Sequence, residues 1–490
     1  MLPPPHIRRA LAPLLLCWPA LIVPAGLHAQ ASLTLPEAIA IAQERGHQAR
    51  AATAAREAAR YQHSQFRSGL MPQLSMVGTV PAYNRSIIPV LQPDGSTEFR
   101  SQQQTSGTLT MRLSQKLPVT GGDLFVSSSL QRLAVRGVQN TRTWSSTPFS
   151  IGLRQDILRP NVTAWDRREQ GVESDLDERL YLEALEDIAI ETAALFFDVH
   201  AASVTLANAT ANAATNDTLY RLNQGRFEVG KIGENDLLQS ELALLRARTS
   251  LDGARLEYDR ATAALRLALN LPAGTPLAIV VPDAIPAFEP DTTRAVTEAL
   301  ARRSSVSSVA LQDVRARRRV TEARLSGGIG ATVQASFGFN ATAPEMRLAY
   351  QNLLEARQFT LSVEVPFWQW GAHGEGVHAA EAQRDQTLSL GQQTLEQTAH
   401  DAHYAALQLS QAARNVALSA KSDTVADKRF AVAYNRYVIG RIAIDNLYLA
   451  QNEKDQALTQ YVQALRGYWQ AYYRLRRMTL FDFERGEPIQ

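Results

Sequence analysis

Proline lacks a backbone donor and clashes with the preceding helical turn, so stretches free of it mark where long helices can run. Four such stretches stand out, 37–71, 161–271, 291–343 and 367–487, in the order short, long, short, long. Each long stretch contains nearly the same phrase, RFEVGKIGENDLL from Arg226 and RYVIGRIAIDNLY from Arg436, 210 positions apart. Gly225, Gly230 and Gly233 break the first copy and Gly440 the second. Each phrase then offers a helix-start signal, Asn235 or Asp236 in one and Asp445 in the other. The phrase reads as the turn of a helical hairpin, and the chain holds two of them.

Helix length decides the shape. The span from Val162 to Gln224 makes one helix of about 95 Å at roughly 1.5 Å per residue, too long for an ordinary globular domain. Its returning arm, 236–270, is half as long, and a further short helix over 292–324 completes the match. The second half repeats this with a long helix over 374–435, a short one over 446–480, and the N-terminal helix over 35–70. In the first arm, Leu237, Leu244, Leu251, Tyr258 and Leu265 recur every seven positions, with Ala247, Ala254, Ala261 and Ala268 three positions later. The second arm keeps the alanine row at Ala450, Ala457, Ala464 and Ala471. A strict seven-residue repeat imposes a left-handed supercoil. Rows of alanine let backbones approach closely, so these helices are expected side by side in a wall rather than in a leucine-rich dimeric coiled coil.

Between short and long helices the period changes to two. QFTLSVEVPF sets Phe359, Leu361, Val363 and Val365 against Thr360, Ser362 and Glu364. ATVQASFGF and PFSIGLRQ alternate in the same way, and PQLSMVGTV near Leu74 does so more weakly. Such strands have one apolar face. That face suits either a soluble core or a barrel with lipid outside and water inside. Strands at the far end of such long helices have no apolar partner left, which favours the barrel. Four strands per chain cannot close one, and open edges are not tolerated in lipid, so several chains must share it.

The N-terminus carries Arg8 and Arg9, an apolar run to about Pro24, and small residues at Ala29 and Ala31, the pattern of a cleaved secretory signal over 1–29. No other run is expected to be long and apolar enough to span a bilayer as a helix. The single cysteine, Cys17, lies within this signal, which removes disulfides, thiolate metal sites and cysteine nucleophiles together. Loss of Arg8 and Arg9 takes the formal charge from +2 to zero, and nothing points to a nucleic-acid partner.

The duplicated turns VGKIGENDLL and IGRIAIDNLY, the junctions LRQDILRP and VEVPFWQWG, and the element order resemble the TolC-type outer membrane efflux family over nearly all of the mature chain. The resemblance implies a mainly α fold with a β-barrel part: duplicated helical hairpins in a trimeric periplasmic α-barrel, topped by a shared twelve-stranded barrel in the cell outer membrane. It implies an exit duct of a tripartite efflux or type I secretion system, a homotrimer in outer membrane lipid that meets a periplasmic adaptor and an inner membrane transporter. It further implies that the hairpin tips meet the adaptor and close the entrance, which singles out Arg226, Gly230, Asp236, Arg436, Tyr437, Gly440 and Asp445. Tyr437 and Asp236 match residues that lock the closed entrance in such channels, whereas the arginine expected between them falls on Ile442, beside Arg441. The aspartate ring of some members falls on Asn446 and Leu449. A further departure is the segment from Thr105 to Leu133, which reads as an extra hairpin turning at Thr120 to Asp123.

The resulting division is a signal over 1–29, a first repeat over 30–270 with strands at 72–158 and a tip at 225–235, and a linker over 271–291. A second repeat follows over 292–480 with strands at 328–367 and a tip at 436–445, then a tail over 481–490. His400 and His403 sit three apart, and His373 and His378 flank a glycine-rich bend, but two histidines without a third ligand do not make a metal site. The basic run Arg315 to Arg319 reads as a solvated helix face. No catalytic constellation is present, so no enzyme and no cofactor is expected. The alternative is a periplasmic coiled-coil structural or adaptor protein, which would carry one hairpin between β-rich domains.

Overall fold

The computed structural model describes residues 33–137, 140–282 and 284–489, so the signal and Cys17 lie outside the described residues. Eight α-helices lie among the described residues: α1 (Leu35–Arg45), α2 (His47–Gly69), α3 (Val162–Glu228), α4 (Glu234–Ala268), α5 (Thr292–Arg302), α6 (Ser304–Ser326), α7 (Ala372–Val438) and α8 (Ile444–Thr479). Both long helices, α3 and α7, have 67 residues, which makes each about 100 Å long.

The duplication extends to the short helices, and here the sequence expectation is corrected. Each expected single helix is two, of 11 and then 23 residues, in both halves. The breaks fall at Gly46 and Arg303, where ψ swings to 152° and 144°. At Gly46 the backbone passes so close that a Cβ would stand 2.4 Å from the Ala42 carbonyl oxygen. At Arg303 the exposed backbone groups are met by α3: the Ser304 N–H donates to buried Glu183 at 2.8 Å, and Arg179 donates to the Ala301 carbonyl at 2.9 Å.

The helices stand four abreast. Near the sheet α3 packs against α2 and α6 and α7 against α6; toward the hairpin turns α3 packs against α4 and α8 and α7 against α8. Ala254, Ala261, Ala450 and Ala457 are buried in these seams beside Leu244, Leu265, Leu447 and Leu475. The waist of the molecule is aromatic. Phe196 and Phe197 of α3 meet Tyr468, Trp469, Tyr472 and Tyr473 of α8, with Phe197 stacked on Trp469 at 6.5 Å. This corrects the expectation about apolar runs: α3 contains one 18-residue window apolar enough to cross a membrane by composition. Its neighbours explain it, since Ala193, Phe196 and Phe197 are enclosed completely. Beside them Arg476 bridges Glu186 at 3.1 Å and Asp482 at 2.7 Å, tying α8 to α3 and to the folded C-terminal tail.

The basic run is an inter-helix ladder. Arg315 reaches Glu169 and Glu173, and Arg318 reaches Asp166 and Glu169, all on α3. His400 and His403 flank Tyr404 at ring distances of 4.5 and 5.4 Å.

Six strands form one antiparallel sheet in chain order: β1 (Gln73–Leu91), β2 (Thr97–Leu117), β3 (Gly122–Arg136), β4 (Thr141–Ile157), β5 (Gly330–Ala343) and β6 (Leu354–Glu364). The chain therefore supplies six strands, not the four that a twelve-stranded trimeric barrel requires. The difference is the pair β2–β3, whose turn at 118–121 includes Gly121 at φ +79°. That turn lies on the helical side of the sheet and is held there by Asn161, which donates to the carbonyls of Pro118 and Val119 at 3.0 and 3.1 Å.

Paired residues on neighbouring strands share a face. The register carries one apolar face across the whole sheet, from Leu74 and Met76 through Leu113 and Met111, Val126, Ile151 and Phe337 to Phe359 and Leu361. The opposite face carries Ser75, Arg112, Thr110, Ser127, Ser150, Arg154, Gln334 and Thr360. Nothing among the described residues covers the apolar face, and Met76 and Phe359 at the two edges are 65% and 71% exposed. Phe367, Trp368 and Trp370 stand exposed where β6 turns into α7.

Removing Arg476 tests the waist. Arg476→Met leaves the Glu186 carboxylate buried without its partner, at a cost of about 3–5 kcal/mol. A lower melting temperature in detergent is expected, and the double variant with Glu186→Gln should recover most of it.

Candidate functional site

The two hairpin turns use the same backbone device. Helix α3 ends with Gly230 at φ +70° and α7 with Gly440 at φ +76°, the left-handed conformation that costs a side chain and that glycine adopts freely. Gly230 N–H donates to Phe227 and Lys231 N–H to Arg226, and the second turn repeats this from Gly440 to Tyr437 and from Arg441 to Arg436. These bonds close the last helical carbonyls, so each helix stops within one residue of the same place in its phrase. The following helices start earlier than the carboxamide and carboxylate signals suggested. Gly233 and Ala443 occupy the N-cap positions without a side-chain cap, while Asn235, Asp236 and Asp445 lie inside the first turn. There the carboxylates face the positive end of the helix dipole rather than cap it.

Three of the candidate residues are joined across the two hairpins. Arg226 of α3 donates to the Val438 carbonyl at 2.8 Å, capping the end of α7, and its guanidinium lies 5.2 Å from the Tyr437 ring centre. Tyr437 is buried and its hydroxyl donates to Asn223 at 2.7 Å. Asp445 accepts from Gln239 of α4 at 2.5 Å. Around them Leu219, Ile444 and Leu447 form a small buried cluster separate from the waist. Asp236 and Arg436 make no side-chain hydrogen bond or ion pair among the described residues, and Tyr437 is joined to Asn223 and Arg226 rather than to Asp236.

Asn223, Gln239 and Tyr448 were missed in the sequence. Asn223 lies one turn before Arg226, on the same helix face, which is the spacing that points to it. Tyr448 follows Leu447, and burial pushes its hydroxyl pKa up; the oxygen is enclosed without a partner among the described residues. Asn446 and Leu449, the positions of the absent aspartate ring, are exposed on the first turns of α8. The surface that remains at the tips is apolar with mixed charge, since Glu228 and Glu234 are exposed beside the basic residues. Val229 and Ile439, each preceding the turn glycine, are 67% and 63% exposed, and Lys231 and Arg441 follow.

Arg226→Ala should free the last carbonyls of α7, at a cost of about 1 kcal/mol, and raise amide exchange around Val438 to Arg441. Tyr437→Phe leaves the Asn223 carbonyl oxygen buried and unpaired, and exchange in both hairpin ends should rise together.

Three solved structures share this architecture. The Campylobacter jejuni CmeC outer membrane channel aligns with a TM-score of 0.66 and 15% identity over 93% of this chain and 86% of its own. The outer membrane protein VceC of Vibrio cholerae aligns at 0.65 and 13% identity over 93% and 97%. The open state of the Neisseria gonorrhoeae MtrE outer membrane channel aligns at 0.58 and 14% over 91% and 88%. No protein-family model matches the sequence, and no curated protein matches it significantly. With more than nine-tenths of its length aligned in each case, the chain has the fold of these outer membrane channels.

Proposed function

We propose that the protein is a passive exit duct of the outer membrane, belonging to the TolC-type efflux family. One observation carries this reading: a sheet with one apolar and one polar face, unpaired at both edges, stands at the end of a helical wall about 100 Å long. In lipid the apolar face is satisfied and the polar face lines water; in water the same sheet would expose a broad apolar patch of the size that marks an interaction surface. Phe367, Trp368 and Trp370 stand where aromatic side chains anchor barrels at the bilayer interface. The helices then extend into the periplasm.

Three copies, the number that the resemblance implies, close the wall into a tunnel. The tips meet a periplasmic adaptor, itself tied to an inner membrane transporter. Arg226, Gly230, Asp236, Arg436, Tyr437, Gly440 and Asp445 form this end of the duct: Arg226, Tyr437 and Asp445 hold the hairpins together, the glycines shape the turns, and Val229, Ile439, Lys231 and Arg441 offer the contact surface. Its exposed Val229 and Ile439 suit an adaptor tip with matching apolar residues. Energy and selectivity come from the pump.

Fractionation tests the location: heat-modifiable oligomers in the outer membrane fraction support the duct, and a soluble periplasmic monomer overturns it. The double variant Gly230→Val, Gly440→Val forces β-branched residues into the left-handed region at a cost of about 1–2 kcal/mol each. Oligomers should still reach the outer membrane while export with the cognate adaptor and pump is lost. Unchanged export would remove the tips from the contact.

A further inference from the structure

We infer that this chain builds an eighteen-stranded barrel by pairing its β1 edge with the β6 edge of a second copy. Resting on the trimeric duct proposed above, the inference is independent of cargo and adaptor. Three copies of six strands give eighteen.

The pair β2–β3 is part of the membrane-crossing sheet rather than an external projection. Its apolar residues continue the belt in register: Leu113 and Met111 sit opposite Leu74 and Met76 on one side, and Val126 and Leu124 opposite Ile151 and Leu153 on the other. Its turn is fixed at the helical end by Asn161 and by Gln155, which donates to the Thr120 carbonyl at 2.8 Å. The strands thus run from the helical end, through the belt, to the far end. Strand β4 is shaped for the pair: Gly152 leaves room for the Phe125 ring, which a Cβ there would meet at 2.4 Å, and Arg112 of β2 lies over the same ring at 4.6 Å.

The edges fit each other. β1 leaves the helices and β6 returns to them, so a β6-to-β1 seam between copies is antiparallel like every pairing within the chain. Strand spacing of about 4.8 Å and a tilt of about 40° give six strands roughly 37 Å of circumference. Four helices at about 9–10 Å occupy roughly 36–40 Å. Sheet and wall therefore share one width without a step between them. Barrel diameter grows about linearly with strand number, so the cross-section is about 2.3-fold that of twelve strands at equal tilt.

Electron cryomicroscopy of the detergent-purified full protein counts the strands, and its mass in detergent counts the copies. A threefold ring of eighteen strands is expected. A threefold ring of twelve, with β2–β3 outside it, overturns this inference and leaves the duct intact; any assembly other than a trimer overturns both. A second measurement uses the absence of cysteine beyond Cys17. Met111→Cys and Val126→Cys should react with a lipid-soluble maleimide and resist a membrane-impermeant one, whereas Thr110→Cys and Ser127→Cys should show the reverse. Equal aqueous labelling of all four overturns the assignment of the pair to the barrel wall.

Discussion

Backbone hydrogen bonding at the two ends of one sheet governs the rest of the molecule. Strands β1 and β6 each have one row of backbone donors and acceptors without a partner among the described residues, next to an apolar face that none of those residues covers. In hydrocarbon each unpaired group costs several kcal/mol, and only a closed ring removes the cost for a sheet. The proposed ring of copies satisfies both edges at once. The helices have the simpler task of reaching far from it while staying aligned, which the alanine seams and the aromatic waist accomplish.

The waist is where two kinds of packing change over. Towards the sheet α2 and α6 fill the wall beside the long helices, and towards the tips α4 and α8 do so. The joints between short helices, at Gly46 and Arg303, stand on opposite sides of a duplicated plan and are solved differently, one by the closeness a glycine allows and the other by Glu183 and Arg179 reaching across from α3. Arg476 with Glu186 and Asp482 then fastens the chain's last helix to its first long one.

Much of this was legible from the sequence, because proline spacing and period-two alternation report directly on backbone hydrogen bonding. The long helices, the turns at Gly230 and Gly440, and the strands around Phe359 and Phe337 follow from those signals alone. What escaped depends on partners distant in sequence. Nothing local distinguishes Arg303 from a helix interior, since the break there is stabilised by Glu183, more than a hundred residues away. The β2–β3 hairpin itself was expected from its turn near Thr120, but its alternation is weak, and only its register against β1 and β4 makes the apolar belt visible. At the tips, Arg226 and Tyr437 were marked by the repeated phrase, but the contact between them, and the part of Asn223, required the fold.

The bond from Arg226 to the end of α7, with Tyr437 beneath it, has a mechanical consequence. It staples the two hairpins of one chain at their ends, and Gln239 with Asp445 adds a second staple between the returning arms. In the trimeric duct proposed above, each chain would thus meet the entrance as one stiff finger, like a blade of a camera iris that keeps its shape while it slides past the next.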